Sequence, residues 1–271
     1  MLIHPQIDPI ALQIGPLKVY WYGLMYFFAF LAFIYLGKKQ LKKIWWGDIN
    51  ENILDDIFFY GALGVIIGGR LGYILFYQPI YYLSNLDQVF AFWQGGMSFH
   101  GGFLGVLVSL IFVTKKYHIS WLKLTDFIAP LIPLGLGFGR IGNFINQELW
   151  GRPTDVTWGI VFPLTDEIAR HPSQLYQALF EGLFLFLILY LYSNKKRPTG
   201  SISALFLIFY GLFRFIVEFT REPDSFLGLL YLNLSMGQWL TIPMIGIGIL
   251  MFIVTKNTDI KTVKEIESEI K

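Results

Sequence analysis

Three arginines stand inside stretches that otherwise read as membrane spans: Arg70 in GVIIGGRLGYILFY, Arg140 in PLGLGFGRIGNFIN and Arg214 in LFLIFYGLFRFIVEF. A guanidinium keeps its charge in a protein, and placing one at the centre of a bilayer costs roughly 2.5–3.5 kcal/mol on the lenient insertion scale. Each therefore needs a partner or a ligand. The planar fork of donors matches a phosphate, so three such groups in apolar surroundings point to a site for an anionic lipid headgroup. Arg140, Asn143 and Gln147 recur at i, i+3 and i+7 and share a helix face, with Glu148 beside them; Tyr210, Arg214 and Glu218 recur at i, i+4 and i+8. An acid one turn away can hold one edge of a fork while the free edge meets a ligand. The competing reading is that Glu218 only neutralises Arg214, and that Arg70, among glycines, only ties helices together through carbonyls.

His100, in GGMSFHGG, has glycines on both sides and is the candidate general base; the alternative is a hydrogen-bonded core histidine. His171, in RHPSQLY, reads as a cap of a following helix together with Ser173, and His4 and His118 read as surface residues. Two apparent motifs fail on geometry. The G-x-G-x-x-G of residues 137–142 lies within a span and lacks the strand-then-helix context of a dinucleotide site. Ser98 and His100, two residues apart on a helix, point about 200° away from each other and cannot pair directly as in a serine protease. No metal constellation is present, no cofactor is expected, and the absence of cysteine excludes a disulfide, a thiolate catalyst and an acylation site on this chain.

The elements that must position these residues are membrane helices. The 271 residues are 55% hydrophobic and 15% charged, far more apolar than an ordinary soluble domain. Seven candidate spans, at about 19–37, 57–78, 97–114, 125–145, 174–193, 202–219 and 236–255, are each long enough to cross ~30 Å of hydrocarbon. The expectation is an all-α integral membrane protein, one polytopic domain over residues 1–271, with an arm at about 146–173. Residues 1–18 lack a basic n-region and six spans follow the first, so the first span is not expected to be a cleaved signal.

Charge orients the bundle. If the spans alternate, Lys38, Lys39, Lys42, Lys43, Lys115, Lys116, Lys123, Lys195, Lys196, Arg197, Lys256, Lys261, Lys264 and Lys271 fall on one side, and Lys18, Arg152, Arg170 and Arg221 on the other. The positive-inside rule then predicts an outward N-terminus and a cytoplasmic C-terminus. In that orientation Tyr22, Arg70, His100, Arg140 and Arg214 all fall toward the outer ends of their spans, Arg140 and Arg214 about five residues or ~8 Å in and Arg70 ~12 Å in. Snorkelling of isolated arginines would not bring a histidine to that level. The outer connections 79–96 and 146–173 are aromatic-rich, and the second reads either as a lid or arm on the membrane surface or as a structural loop. Gly64, Gly68 and Gly72, and Gly135, Gly139 and Gly142, read as small-residue faces for close helix packing. The C-terminal KTVKEIESEIK reads as a solvated tail.

The strings WYGLMY (21–26), GGRLGY (68–73), GGMSFHGG (95–102), DFIAPLIPLGLGFGRIGNFINQELWGRP (126–153), RHPSQLY (170–176), YGLFRFIVEFTREPD (210–224) and SMGQWLTIPM (235–244) resemble, in order, those of the prolipoprotein diacylglyceryl transferases. The resemblance implies a seven-span enzyme of the bacterial cytoplasmic membrane. It would move the diacylglyceryl group of phosphatidylglycerol to the thiol of the lipobox cysteine in the signal peptide of a secreted prolipoprotein and release glycerol-1-phosphate, with no nucleic-acid partner. It also implies a signature stretch from Gly139 to Gly151 carrying Arg140, Asn143, Glu148 and Gly151, with His100, Tyr22, Tyr210 and Arg214 in further motifs. His100, Arg140 and Arg214 are the expected catalytic residues. Arg140, Asn143, Tyr22, Arg70, Glu148, Gly151, Tyr210 and Glu218 are the expected substrate-binding residues. Gln147 stands where many relatives have glycine, and the arm after Gly151 is short beside that of some members.

Two other classes are weaker. An anion transporter needs a polar route through the inner halves of the spans, which are mainly apolar with Glu181 the main exception, and a retinal-type receptor would want a lysine in the last span, which has none.

Overall fold

The computed structural model describes residues 2–91, 95–223 and 228–269, with side chains through Asn257. The Phe92–Gln94 part of the aromatic connection, Asp224 and Lys271 fall outside these residues. The helices are α1 (Trp21–Leu41), α2 (Glu51–Tyr77), the short α3 (Pro79–Ser84), α4 (Phe99–Tyr117), α5 (Trp121–Ile145), α6 (Ser173–Tyr192), α7 (Ser201–Glu218) and α8 (Met236–Glu269). All but α3 are long and apolar enough to cross a membrane, α8 over Met236–Asn257, which agrees with the seven spans read from hydropathy. The C-terminal segment read as a tail continues α8 as helical backbone to Glu269.

Among the described residues five short strands accompany the helices: β1 (Leu2–Ile3), β2 (Ile10–Ile14), β3 (Leu17–Tyr20), β4 (Ile160–Val161) and β5 (Ala169–Arg170). The chain separates into two compact units, one of Met1–Leu36 with Thr125–Lys271 and one of Gly37–Leu124.

In the unit Gly37–Leu124, α2 and α4 lie backbone to backbone. A Cβ added to Gly64 would stand 2.5 Å from the carbonyl oxygen of Gly105, and one on Gly72 would stand 2.7 Å from the Cα of Gly101. The four-residue glycine spacing is thus spent on close helix approach. Asn50 caps α2 by accepting from the Ile53 N–H (3.1 Å), and Ser98 caps α4 by accepting from the Gly101 N–H (3.2 Å). That capping bond is the work of Ser98. The far end of α4 closes on His118 in the left-handed conformation, φ +54°.

In the other unit, α5 and α6 meet at a second glycine contact: a Cβ on Gly182 would stand 2.7 Å from the Cα of Gly137. Buried Asp126 of α5 accepts from the Gly200 N–H (2.6 Å) and from the N–H and hydroxyl of Ser203 (both 2.7 Å), so it fixes the start of α7. The end of α5, the start of α6 and the end of α7 are gathered by a small β structure. Parallel β1 pairs β4, with Leu2 opposite Ile160, and antiparallel β5 pairs β4, with Ile160 opposite Arg170. Gly151 bridges to Arg221 and Pro153 to Arg170. The 146–173 connection is therefore a hydrogen-bonded structure woven with the N-terminus.

His4, read from sequence as a surface residue, is 1% exposed. Its ring lies against Phe144 and Phe162, and Nε2 contacts the Phe144 carbonyl at 2.9 Å. The correction has a physical cause: the two-residue β1 carries the N-terminus across β4, and the next residue turns inward. A separate ribbon, β2–β3, leads directly into α1.

Candidate active site

Arg140 lies on the last turns of α5, one turn beyond the Gly137–Gly182 contact that lets α6 approach. Among the described residues its hydrogen bond is a single long one, from Nη1 to Asn143 Oδ1 at 3.5 Å, and the side chain is only partly buried. Asn143 is itself held: its Nδ2 donates to Glu148 Oε2 (3.2 Å), and Asn146 donates to Glu148 Oε1 (3.2 Å). Tyr22 packs against Gly142, where a Cβ would stand 2.8 Å from its ring, and its ring also meets Tyr26 at 5.2 Å. Gly142 thus makes room for the tyrosine two residues along the helix from Arg140.

Arg214 is spent differently. Its Nη2 lies 2.9 Å from Glu218 Oε2 and its Nη1 3.6 Å from Glu181 Oε1, with Glu181 1% and Glu218 4% exposed at the side chain. Glu218 is further shared with Arg221 Nη1 (3.5 Å) and accepts from the Ser235 hydroxyl (3.0 Å). A Cβ on Gly237 would stand 2.9 Å from Glu218 Oε1, so α8 presents glycine where the carboxylate sits. Tyr210 and Glu181 lie within electrostatic reach of both Arg140 and Arg214.

The signature stretch ends in an unusual turn. Gln147 and Leu149, on either side of Glu148, both have left-handed backbones (φ +57° and +54°), a conformation non-glycine residues adopt at a cost. The turn is held from α6 and the residues before it. Gln174 Nε2 donates to the Glu148 carbonyl (2.7 Å), the Ser173 hydroxyl to the Leu149 carbonyl (3.0 Å), and the Gly151 N–H to the His171 carbonyl (3.0 Å). Arg170 Nη1 donates to the Gly151 carbonyl (3.1 Å), and its guanidinium covers the Trp150 ring at 4.2 Å. A side chain at Gly151 would strike the Thr220 carbonyl at 2.5 Å, which accounts for the glycine.

The family model for prolipoprotein diacylglyceryl transferase matches residues 9–254. The chain belongs to this family. Three curated relatives carry the name phosphatidylglycerol–prolipoprotein diacylglyceryl transferase. That of Nitrosospira multiformis is 59% identical over 93% of this chain and 88% of its own length, and that of Nitrosomonas europaea 59% over 92% and 90%. That of Methylobacillus flagellatus is 58% identical over 94% and 99%.

One unit of this family member brings together most of the residues expected from sequence: Tyr22, Arg140, Asn143, Glu148, Gly151, Tyr210, Arg214 and Glu218 all lie in it. Arg70 and His100 lie in the other. Of the two readings open for Arg70, the geometry is that of a brace. Arg70 is 2% exposed and donates from Nε to the Val89 carbonyl (3.0 Å), from Nη2 to that of Gln88 (2.6 Å) and from Nη1 to that of Gly95 (2.6 Å), with Tyr82 beneath it at 5.2 Å. His100 is exposed on the first turn of α4, its ring edge against Phe99 at 5.6 Å, so it is not a core histidine within its unit.

His171 does not cap α6. Its Nδ1 meets the Tyr176 hydroxyl at 3.3 Å, while Ser173 turns to the Leu149 carbonyl. Burial holds the His171 imidazole below its usual pKa, and burial does the same to His4 against the opposing bond to Phe144. The hydrogen-bonded Arg170 holds the Asp166 carboxyl below its ordinary range.

Glu181 is the residue sequence reasoning missed. From sequence it is the main polar exception in the apolar inner halves of the spans, yet it is the ninth residue of α6 and stands with Arg214. The available signal was an acid in an otherwise apolar span, a functional candidate by default.

Proposed function

We propose that this protein transfers the diacylglyceryl group of phosphatidylglycerol to the thiol of the lipobox cysteine in secreted prolipoproteins, releasing glycerol-1-phosphate at the outer face of the cytoplasmic membrane. This is the first step of lipoprotein maturation. Family membership and the names of the relatives support the reaction. The basic residues concentrated on one side of the spans support an outward N-terminus, and with it an outward site.

The observation that carries the residue assignment is the contrast in how the arginines are occupied. Among the described residues Arg140 makes one hydrogen bond, at 3.5 Å, so most donors of its fork remain for a ligand. In the reaction a C–S bond forms at the glyceryl carbon while its bond to the phosphate oxygen breaks, and the electron pair leaves with the phosphate. The phosphodiester becomes a monoester with added charge. Arg140 binds and stabilises that group, with Asn143 and Glu148 orienting the fork. Arg214 adds positive field, Glu218 holds its orientation, and Tyr22 and Tyr210 line the approach. The acceptor thiol, with an unperturbed pKa of about 8.5, is mostly protonated at neutral pH, and His100 is the proposed base that takes its proton. Arg70 braces the 88–96 connection that leads into the His100 motif.

The test uses purified full-length protein in phosphatidylglycerol vesicles with a lipobox peptide bearing cysteine or serine. Transfer to cysteine alone is expected. Substantial transfer by folded Arg140→Ala would remove Arg140 from the chemistry, and equal transfer to the serine peptide would remove the thiol acceptor.

A further inference from the structure

Three neighbouring side chains in the arginine-bearing unit have polar atoms that the fold leaves without hydrogen-bond partners. Among the described residues, both carboxylate oxygens of Glu181, both amide atoms of Gln177 and the Nη1 of Arg214 are buried and make no hydrogen bond. Gln177 is 0% and Glu181 1% exposed. At 3.6 Å the contact between Arg214 Nη1 and Glu181 Oε1 is an ion pair too long to be a hydrogen bond. Buried polar groups are nearly always paired, so a cluster of such atoms asks for a ligand. Gln177 and Glu181 are one turn apart on α6, and Ala178–Phe184 between and beyond them forms a π-helical turn, a local distortion frequent at functional sites.

The chemistry of the cluster selects the ligand. Glu181 offers only acceptors, Arg214 only donors, and Gln177 both. An anion would be repelled by Glu181. A cation such as an ammonium headgroup would be repelled by Arg214 and by Arg140, whose strongest electrostatic partner is Glu181. A neutral hydroxyl, donating to the carboxylate and accepting from the guanidinium or amide, satisfies all three. Gln177 and Glu181 together offer more donors and acceptors than one hydroxyl can meet, so a diol is the better match.

We propose that Gln177, Glu181 and the Nη1 of Arg214 form a subsite for a neutral vicinal diol, the free glycerol end of the phosphatidylglycerol headgroup. The inference rests on the reaction proposed above and adds to it the residues that select the headgroup. Arg140 would hold the phosphate while this subsite reads what is esterified to it.

The experiment compares phosphatidylglycerol with phosphatidylethanol, which keeps the diacylglyceryl phosphodiester but has no hydroxyl, as donors to a fluorescent lipobox peptide. Wild type should favour phosphatidylglycerol by about a hundredfold in kcat/KM, because a site built for hydroxyls discriminates strongly against their loss. The one-hydroxyl ethylene glycol ester should fall between, a comparison that needs no variant. Gln177→Met should shrink the preference to within about tenfold, chiefly through loss on phosphatidylglycerol, and Glu181→Gln supplies a second variant should the first fail to fold. A wild-type preference near one, or an equal proportional loss on both lipids in the variants, would overturn the subsite. Transfer from neither lipid by wild type would sink the parent reaction instead.

Discussion

Arg70 and Arg140 are both arginines on membrane helices, each within a few residues of glycines, and each read from sequence as a lipid-binding residue. Their surroundings differ in kind. Arg70 is 2% exposed and gives its fork to carbonyls of the 88–96 connection at 2.6–3.0 Å. Among the described residues Arg140 has one hydrogen bond, at 3.5 Å, and a partly open side chain. The cost of a guanidinium in lipid says that a partner exists, but not which partner. Carbonyl oxygens of the chain are as good a solution as a phosphate, and only the count of donors already used separates a brace from a binding group.

The largest effect that sharpens this contrast is at Arg140. Arg140→Ala should lower turnover by about a thousandfold with the protein folded, and Arg140→Lys, which keeps the charge but loses the two-point fork, by about a hundredfold. Near-wild-type turnover by either folded variant would make Arg140 a brace like Arg70. His100 comes next. As the proposed base it should cost about a hundredfold in turnover when changed to Gln, with phosphatidylglycerol binding retained. A normal rate across neutral pH would move thiol ionisation to the field of the arginines.

Arg70→Met should show the opposite pattern. Several charge-assisted bonds to buried carbonyls would be lost, destabilising the protein by about 3 kcal/mol, with turnover per folded molecule within a few-fold of wild type. A large fall in turnover at unchanged thermal stability would return Arg70 to the binding residues.

What could be read in the sequence follows the length of the signal. The seven spans were legible because about twenty apolar residues leave few alternatives. So were the faces Arg140–Asn143 and Tyr210–Arg214–Glu218, because helix spacing fixes which side chains are neighbours. The fate of Arg70 was not, since it depends on carbonyls 18 to 26 residues away in a connection without a periodic pattern. His4 was misread because a two-residue strand has no detectable period, and its pairing with Ile160–Val161 joins segments far apart in the chain. Glu181 was visible as an acid in an apolar run, but its partner Arg214 is on another helix.

The β structure that holds the signature turn predicts a pH response separate from catalysis. His4 and His171 have imidazoles held below their usual pKa, so the fold favours their neutral forms. Their contribution is complete above the unfolded value of about 6.5 and falls as pH drops below it. Asp166 has a depressed carboxyl, so its contribution is complete above about 4 and is lost as pH falls through the lower folded value. Hydrogen exchange at the Gly151 and Thr154 amides should therefore quicken in two stages on acidification. Asp166→Asn should remove the second stage and spare the first, and a second stage that survives would assign it elsewhere.

The smallest predicted effect concerns Gln147, at the far end of the face that starts with Arg140. Its left-handed backbone suits glycine, and a non-glycine residue in that conformation costs roughly 1–2 kcal/mol. Its side chain recovers part of this by accepting from the Leu164 N–H at 3.2 Å, a bond worth about 1 kcal/mol. Gln147→Gly removes both terms and also loosens the unfolded chain, which opposes any gain. The net change in stability should lie within about 1 kcal/mol, and turnover should match wild type, because Glu148 keeps its hold through Asn143, Asn146 and the Gln174 bond to its carbonyl. Gln147→Ala keeps the strain and loses the bond, so it should be the less stable of the two. Equal stability of the two variants would mean that the strain of the left-handed backbone is no larger than the entropy glycine adds to the unfolded chain, and a large fall in turnover in either would put Gln147 with Asn143 among the groups that orient Arg140.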